Sequence, residues 1–149
     1  MRFRHSIAAS SCWAVALLWL WQPTVVPAQE AGATAVQTDP EGRFLTDAEG
    51  MSLYLFEADS DNTSTCYDAC AEAWPPLLSE GQPTAGGQVD AAKLSTIERK
   101  DGTAQVTYDG WPLYYFVKDE APGDTNGQDV EGFGAEWYLV APDGEKLEE

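Results

Sequence analysis

Two cysteines four residues apart, Cys66 and Cys70, are the first pair in this sequence able to do covalent chemistry. On a helix, Cα atoms at that spacing stand about 6 Å apart, within the reach of a disulfide, and the loop closed is so small that the bond stabilises at the low end of the usual range. A crosslink that constrains so little leaves room for a reversible dithiol, a thiolate metal site or free thiols. Against these, no Lys, Arg or His adjoins the pair to lower a thiol pKa, while Asp68 and Glu72 raise it, and an even number of cysteines in an oxidising compartment favours a structural disulfide.

Carboxylates are the only abundant reactive groups, 25 acidic residues against 8 basic ones. Asp59-Ser60-Asp61-Asn62-Thr63 begins like a calcium loop, yet Ser64 stands in place of the turn glycine and Cys70 in place of the bidentate Glu, so it is not an EF-hand. Asp119, Asp124 and Asp129, with Glu120, Asn126 and Glu131 between glycines 123, 127 and 132, form a second acidic loop with oxygen donors for Ca2+ or another hard cation. Solvated acidic loops are the preferred reading, and no resident cofactor is expected. A glycosidase-like carboxylate pair carries little weight, since so many acids guarantee some pair at any spacing.

The aromatics supply a third possibility. Trp74, Trp111 and Trp137, with Tyr54, Tyr108, Tyr114, Tyr115 and Tyr138, offer more ring area than a small core needs, and some are expected to face a partner or a carbohydrate.

What is missing narrows the chemistry further. The first 28 residues read as an export signal, with Arg2 and Arg4 ahead of an apolar stretch from Cys12 to Trp21 and small residues at Val26 and Ala28 before a cleavage point. Cys12 lies at the wrong end of that stretch for a lipid-attachment cysteine, so lipid anchoring and stable membrane insertion are not expected. The one histidine, His5, leaves with the signal, which excludes a Ser-His-Asp triad, a Cys-His pair and the usual histidine-ligated metal centres. Six basic side chains then face 25 acidic ones, a charge of -19, and nucleic acid or anionic lipid is excluded as an electrostatic partner.

Residues 29–41 are small and polar and predict a flexible leader, with a single β-rich domain over residues 42–149. Turn signals at Asp47 to Gly50, Lys100-Asp101-Gly102, Asp109-Gly110 and Pro142-Asp143-Gly144 separate predicted strands at 43–46, 52–57, 95–99, 104–108, 112–117 and 136–141. Asp109-Gly110 is the strongest hairpin signal, and Pro112 beyond it belongs at a strand start or on an edge. A helix is predicted from Cys66 to Trp74, capped by Thr65 with Asp68 and stopped by Pro75-Pro76, with both cysteines, Ala73 and Trp74 toward the sheet.

The chain resembles itself at an offset of 60 residues. Gly50, Leu53, Tyr54, Phe56 and Asp59 recur as Gly110, Leu113, Tyr114, Phe116 and Asp119. By the two-residue period, Tyr54 and Phe56 share one strand face and Leu53 and Leu55 the other, so the strand belongs in a sheet covered on both sides. The two copies are Tyr54-Leu55-Phe56-Glu57-Ala58-Asp59 and Tyr114-Tyr115-Phe116-Val117-Lys118-Asp119, flanked by Cys66, Cys70-Ala71, Trp74-Pro75-Pro76-Leu77 and Pro122-Gly123-Asp124. They resemble the Y-x-[FWY]-x-x-D repeat of a family of small secreted bacterial proteins and predicted lipoproteins. The resemblance implies an envelope location, periplasmic or secreted, and no general activity.

The expected architecture is mainly β, an antiparallel sheet built from two related hairpin repeats over residues 42–80 and 95–144, with one short Cys-bearing helix between them. The expected role is a non-catalytic binding or interaction module for an envelope protein or small ligand. The alternatives are a redox or electron-transfer accessory protein using Cys66 and Cys70 or a bound metal, and divalent-cation binding through the acidic loops.

Overall fold

The computed structural model describes residues 34–148, and the expected export signal lies outside the described residues. Nine strands occur among them: β1 (Ala35–Thr38), β2 (Leu45–Asp47), β3 (Tyr54–Phe56), β4 (Thr84–Ala85), β5 (Leu94–Glu98), β6 (Ala104–Tyr108), β7 (Trp111–Pro112), β8 (Val130–Gly132) and β9 (Ala135–Leu139). They form three small sheets, ordered β2-β1-β4, β3-β9-β8 and β5-β6-β7. The pairings are antiparallel except β1 with β4, a parallel contact that the expected antiparallel plan lacks.

The hairpin at Asp109-Gly110 forms as predicted: Tyr108 pairs with Trp111 across two central residues that both have positive φ, 51° and 86°. That is the I′ turn, whose twist matches the flanking strands and which Asp-Gly favours. Pro112 sits on β7, at the edge of its sheet, where its missing N–H costs no ladder bond.

Three expectations need correction. Of the expected flexible leader over residues 29–41, the described part from Thr34 onward is ordered: β1 lies in it and pairs Val36 with Asp47 and Thr38 with Leu45. Val36 is fully buried, which gives this polar-looking segment its reason to order. The helix is shorter than predicted, α1 (Ala69–Ala73), and Asp68 at its start makes no side-chain cap. The Thr65 expected to cap it instead gives its N–H and hydroxyl to Asp59, so the chain at Cys66 is held outside the helix.

The strand predicted over 112–117 stops at Pro112 because its continuation changes partners from residue to residue. Leu113 N–H bonds Val106, Tyr114 N–H bonds Tyr54, Tyr115 N–H bonds Pro75 and Val117 N–H bonds Ala73. No single ladder runs along it, yet it is threaded between the first copy of the repeat and the segment after α1.

Two cores result, one on each face of β3, as the alternation requires. Leu53, Leu55 and Leu113 join Val36, Leu45, Val106, Tyr108 and Val140 in one, with Tyr115 and Trp111 packed against it. Tyr54, Phe56, Tyr114 and Phe116 join Cys66, Cys70, Trp74, Trp137 and Leu139 in the other.

Candidate functional site

The second core holds Tyr54, Phe56, Tyr114 and Phe116, the aromatic residues at matching positions of the two copies. Tyr54 and Tyr114 face each other across a two-bond antiparallel bridge, with Tyr54 N–H donating to the Tyr114 carbonyl at 2.9 Å and the reverse bond at 3.0 Å. The two copies are thus joined backbone to backbone at the matching residue, and a pseudo-twofold relation follows.

Their side chains cross over. The Tyr54 hydroxyl donates to Oδ2 of Asp119 at 2.6 Å, and the Tyr114 hydroxyl donates to Oδ2 of Asp59, also at 2.6 Å. Each tyrosine serves the aspartate of the other copy. The second carboxylate oxygen is used similarly on both sides: Oδ1 of Asp59 accepts from Thr65 N–H and hydroxyl, and Oδ1 of Asp119 accepts from Asn126 N–H and Nδ2. Hydrogen bonds to an ionised carboxylate are the strong class, so the spacing Tyr-x-x-x-x-Asp encodes an interlock between repeats.

Burial, followed by the Asp119 carboxylate, drives the Tyr54 phenol far above its ordinary pKa; burial and the charge of Asp59 do the same for Tyr114. Both phenols therefore stay protonated and remain donors. Burial also raises the Asp59 carboxyl, against the opposing pull of Tyr114, Thr65 and the more distant Arg99.

Arg99 extends this side of the network. It is 4% exposed, and it donates to the Ser64 hydroxyl at 3.0 Å, to Oε1 of Gln105 at 2.7 Å and to the Cys66 carbonyl at 2.8 Å. Ser64 meets the Tyr114 hydroxyl at 2.6 Å, and the guanidinium lies 4.3 Å from the Tyr67 ring centre. Its buried Nε has no partner. On the opposite side the backbone N–H of Gly127 donates to the Tyr54 hydroxyl at 3.2 Å. A Cβ at Gly127 would stand 2.8 Å from the Tyr54 ring and 2.9 Å from Trp74, so only glycine fits there.

Between the two Tyr–Asp pairs lies a stack of four rings. Phe116 and Trp74 are 4.0 Å apart between centres, Trp74 and Trp137 3.9 Å, and Trp137 and Phe56 4.1 Å. Tyr54 meets Trp74 edge-on at 5.5 Å and Tyr114 meets Trp137 edge-on at 5.2 Å. The pseudo-twofold relation holds here too, pairing Phe56 with Phe116 and Trp74 with Trp137.

Trp74 and Trp137 are two of the three candidate binding tryptophans. They are core residues, 2% and 0% exposed, because the stack needs both indoles. Trp111 is half-buried against the other core and keeps part of its ring outside. Cys66 and Cys70 form a disulfide, with Cα atoms 5.2 Å apart and both residues buried beside the stack.

The acidic loop is ordered by its own backbone. Asp124 accepts from the N–H groups of Glu120 and Ala121, Asp119 is held by Tyr54 and Asn126, and Asp129 lies exposed on the surface. Among the described residues no group of three or more His, Cys, Asp or Glu side chains is placed to hold a metal ion.

Sequence reasoning missed Ser64, Arg99, Asn126 and Gly127 as members of this network. Gly127 reads from the sequence only as a glycine of the acidic loop, and nothing in the residues around Arg99 marks it for burial.

A family model described as Lipoprotein_15, secreted repeat of unknown function, matches residues 35–78 and 95–141. Its two segments carry one Tyr, one Asp and one Trp of the interlock each. No curated protein and no solved structure matches the chain.

Proposed function

Since the chain belongs to this family of secreted repeats, we propose that it acts as a non-catalytic interaction module of the cell envelope, exported by its N-terminal segment and working through its surface. The observation that supports this reading is the internal use of the tyrosines and aspartates of the repeat motif. Tyr54 and Tyr114 donate to Asp119 and Asp59, Trp74 and Trp137 stack in the core, and the cysteines are bonded and buried. Residues that interlock two copies hold a scaffold in shape, and recognition then falls to the loops and turns that the scaffold presents. Among the described residues no helix is long and apolar enough to cross a membrane, which fits a role carried by a folded exported domain.

The partner class is an envelope protein. Native mass spectrometry of the protein recovered from its producing cells, with denaturing mass before and after reduction, tests the reading. The expected species is a bare chain, two hydrogens lighter than the reduced form, part of it in a complex of higher mass. A stoichiometric metal or organic adduct, or free thiols in the recovered protein, would replace the interaction reading with cation binding or redox work at Cys66 and Cys70.

A further inference from the structure

The hairpin of β8 and β9 makes the same turn as Asp109-Gly110 with a residue poorly suited to it. Gly132 pairs with Ala135, and the two residues between them, Phe133 and Gly134, have φ of 60° and 97°. Positive φ at both central positions is the I′ turn, where Asn or Asp precedes Gly in most cases; an aromatic side chain in that left-handed region is strained. Within one chain the first hairpin takes the favoured Asp, and the second takes Phe.

No packing gain accounts for the choice. Phe133 belongs to neither core and is 53% exposed, sharing with Val117 the largest exposure of any bulky apolar residue described. Directly behind it, Glu131 and Glu136 stand opposite each other in register, two exposed like charges on neighbouring strands, an arrangement that destabilises a hairpin. Two locally unfavourable choices thus coincide at one tip: a ring at the apex, and at its base a pair of carboxylates, of which Glu136 also accepts from the Tyr138 hydroxyl at 2.7 Å. Backbone strain that no packing offsets clusters at functional sites, where it forms part of the mechanism.

We infer that the Phe133 hairpin is a docking element that inserts its ring into an apolar cavity of a partner protein rimmed by Lys or Arg side chains. The inference rests on the interaction reading above and names its surface. Charge fixes the partner's chemistry: the Glu pair favours a basic rim, and a second copy of this strongly acidic chain would be repelled.

The test places a benzophenone side chain at position 133 of the full chain in its producing cells, with the same group at Leu78, another exposed apolar residue paired to a different sheet, as control. The expected result is one protein adduct formed from position 133 and absent from position 78. That protein, purified, binds the wild-type chain less tightly as salt is raised, and Phe133→Asn weakens binding at least about tenfold. The same substitution suits the turn, so it raises the Tm by roughly 3 °C, which separates lost contact from lost fold.

An adduct from position 78 and none from 133 overturns the inference and leaves the interaction reading standing; no adduct at either position overturns both. Unchanged affinity of Phe133→Asn, a lowered Tm, or Phe133-dependent sedimentation with neutral phosphatidylcholine vesicles would each overturn the docking assignment.

Discussion

Replacing Tyr54 by Phe removes one oxygen and leaves the ring in place against Trp74 and Phe116. The lost oxygen donates to Oδ2 of Asp119 and accepts from Gly127 N–H, so one carboxylate oxygen and one backbone donor lose their partner together. A hydrogen bond to a charged group contributes about 1.5–3 kcal/mol, and leaving buried partners unsatisfied puts the cost in the upper part of that range. With a urea m-value of about 1–3 kcal/mol per M, the unfolding midpoint falls by roughly 1 M or more with m unchanged. Tryptophan fluorescence reads the transition, because the stacked Trp74 and Trp137 separate on unfolding. The decisive comparison is a pair of double-mutant cycles. Tyr54→Phe combined with Asp119→Asn should show a coupling of about 1 kcal/mol or more, whereas Tyr54→Phe with Asp59→Asn, the aspartate of its own copy, should be additive within about 0.5 kcal/mol. Stronger coupling to Asp59 than to Asp119 would refute the exchange between repeats, and a cost below about 0.5 kcal/mol for Tyr54→Phe would refute the energetic role of the interlock.

Asp59 sets a pH dependence of defined sign. Its carboxyl is raised in the fold by burial, so its contribution is fully present below the ordinary value near 3.8 and is lost as pH rises through the folded value. Asp59→Asn therefore compares best with the wild type at neutral pH and loses ground on acidification; urea midpoints that move in parallel from pH 7 to below 4 would remove burial as the controlling factor. The Cys66–Cys70 bond closes a loop so short that chain entropy assigns it about 2 kcal/mol, and its burial predicts that a thiol reductant acts only through unfolding. Alkylation and mass analysis of the native protein checks this, and reduction within minutes without unfolding would point to an exchangeable dithiol. Trp137→Ala, which opens the stack, should cost about 3–5 kcal/mol, and Trp111→Ala, at a half-buried site, distinctly less by the same urea assay. With -17 on the full chain, the Tm should rise from low to moderate salt; a flat profile would mean that the charges are too far apart to interact.

The strands with a periodic apolar pattern and an Asp-Gly turn were legible, and β6 occupies the residues its alternation indicates, Ala104–Tyr108. So was the two-faced character of Leu53 to Phe56, since the alternation holds in each copy. β1 was not legible, because its single deeply buried residue, Val36, sits among Ala, Gln and Thr, and its order comes from partners seven residues or more away. The capping reading of Thr65 failed because a side-chain oxygen competes for any nearby acceptor or donor, and the turn at Ser60 to Thr63 brings Asp59, six residues back, within its reach. The repeat pointed to Tyr54, Asp59, Tyr114 and Asp119, but residue spacing alone carries no information on which tyrosine meets which aspartate. Crossing over is a property of the bridge between Tyr54 and Tyr114, a contact between residues 60 positions apart.

That crossing has a consequence for how the chain assembles in time. The first copy supplies β3, whose ladder partner is β9, with Phe56 opposite Trp137 and Tyr54 opposite Leu139. Its phenol awaits Asp119, and Leu45 awaits the carbonyl of Val140. β1 pairs with β2 and Cys66 bonds Cys70 within the first half, but β3 and the Tyr54 phenol stay without their partners until the second copy and β9 are present. Such long-range closure makes folding slow and late. The delay binds the two copies into one cooperative unit, in which neither Tyr–Asp pair can form before both copies are present.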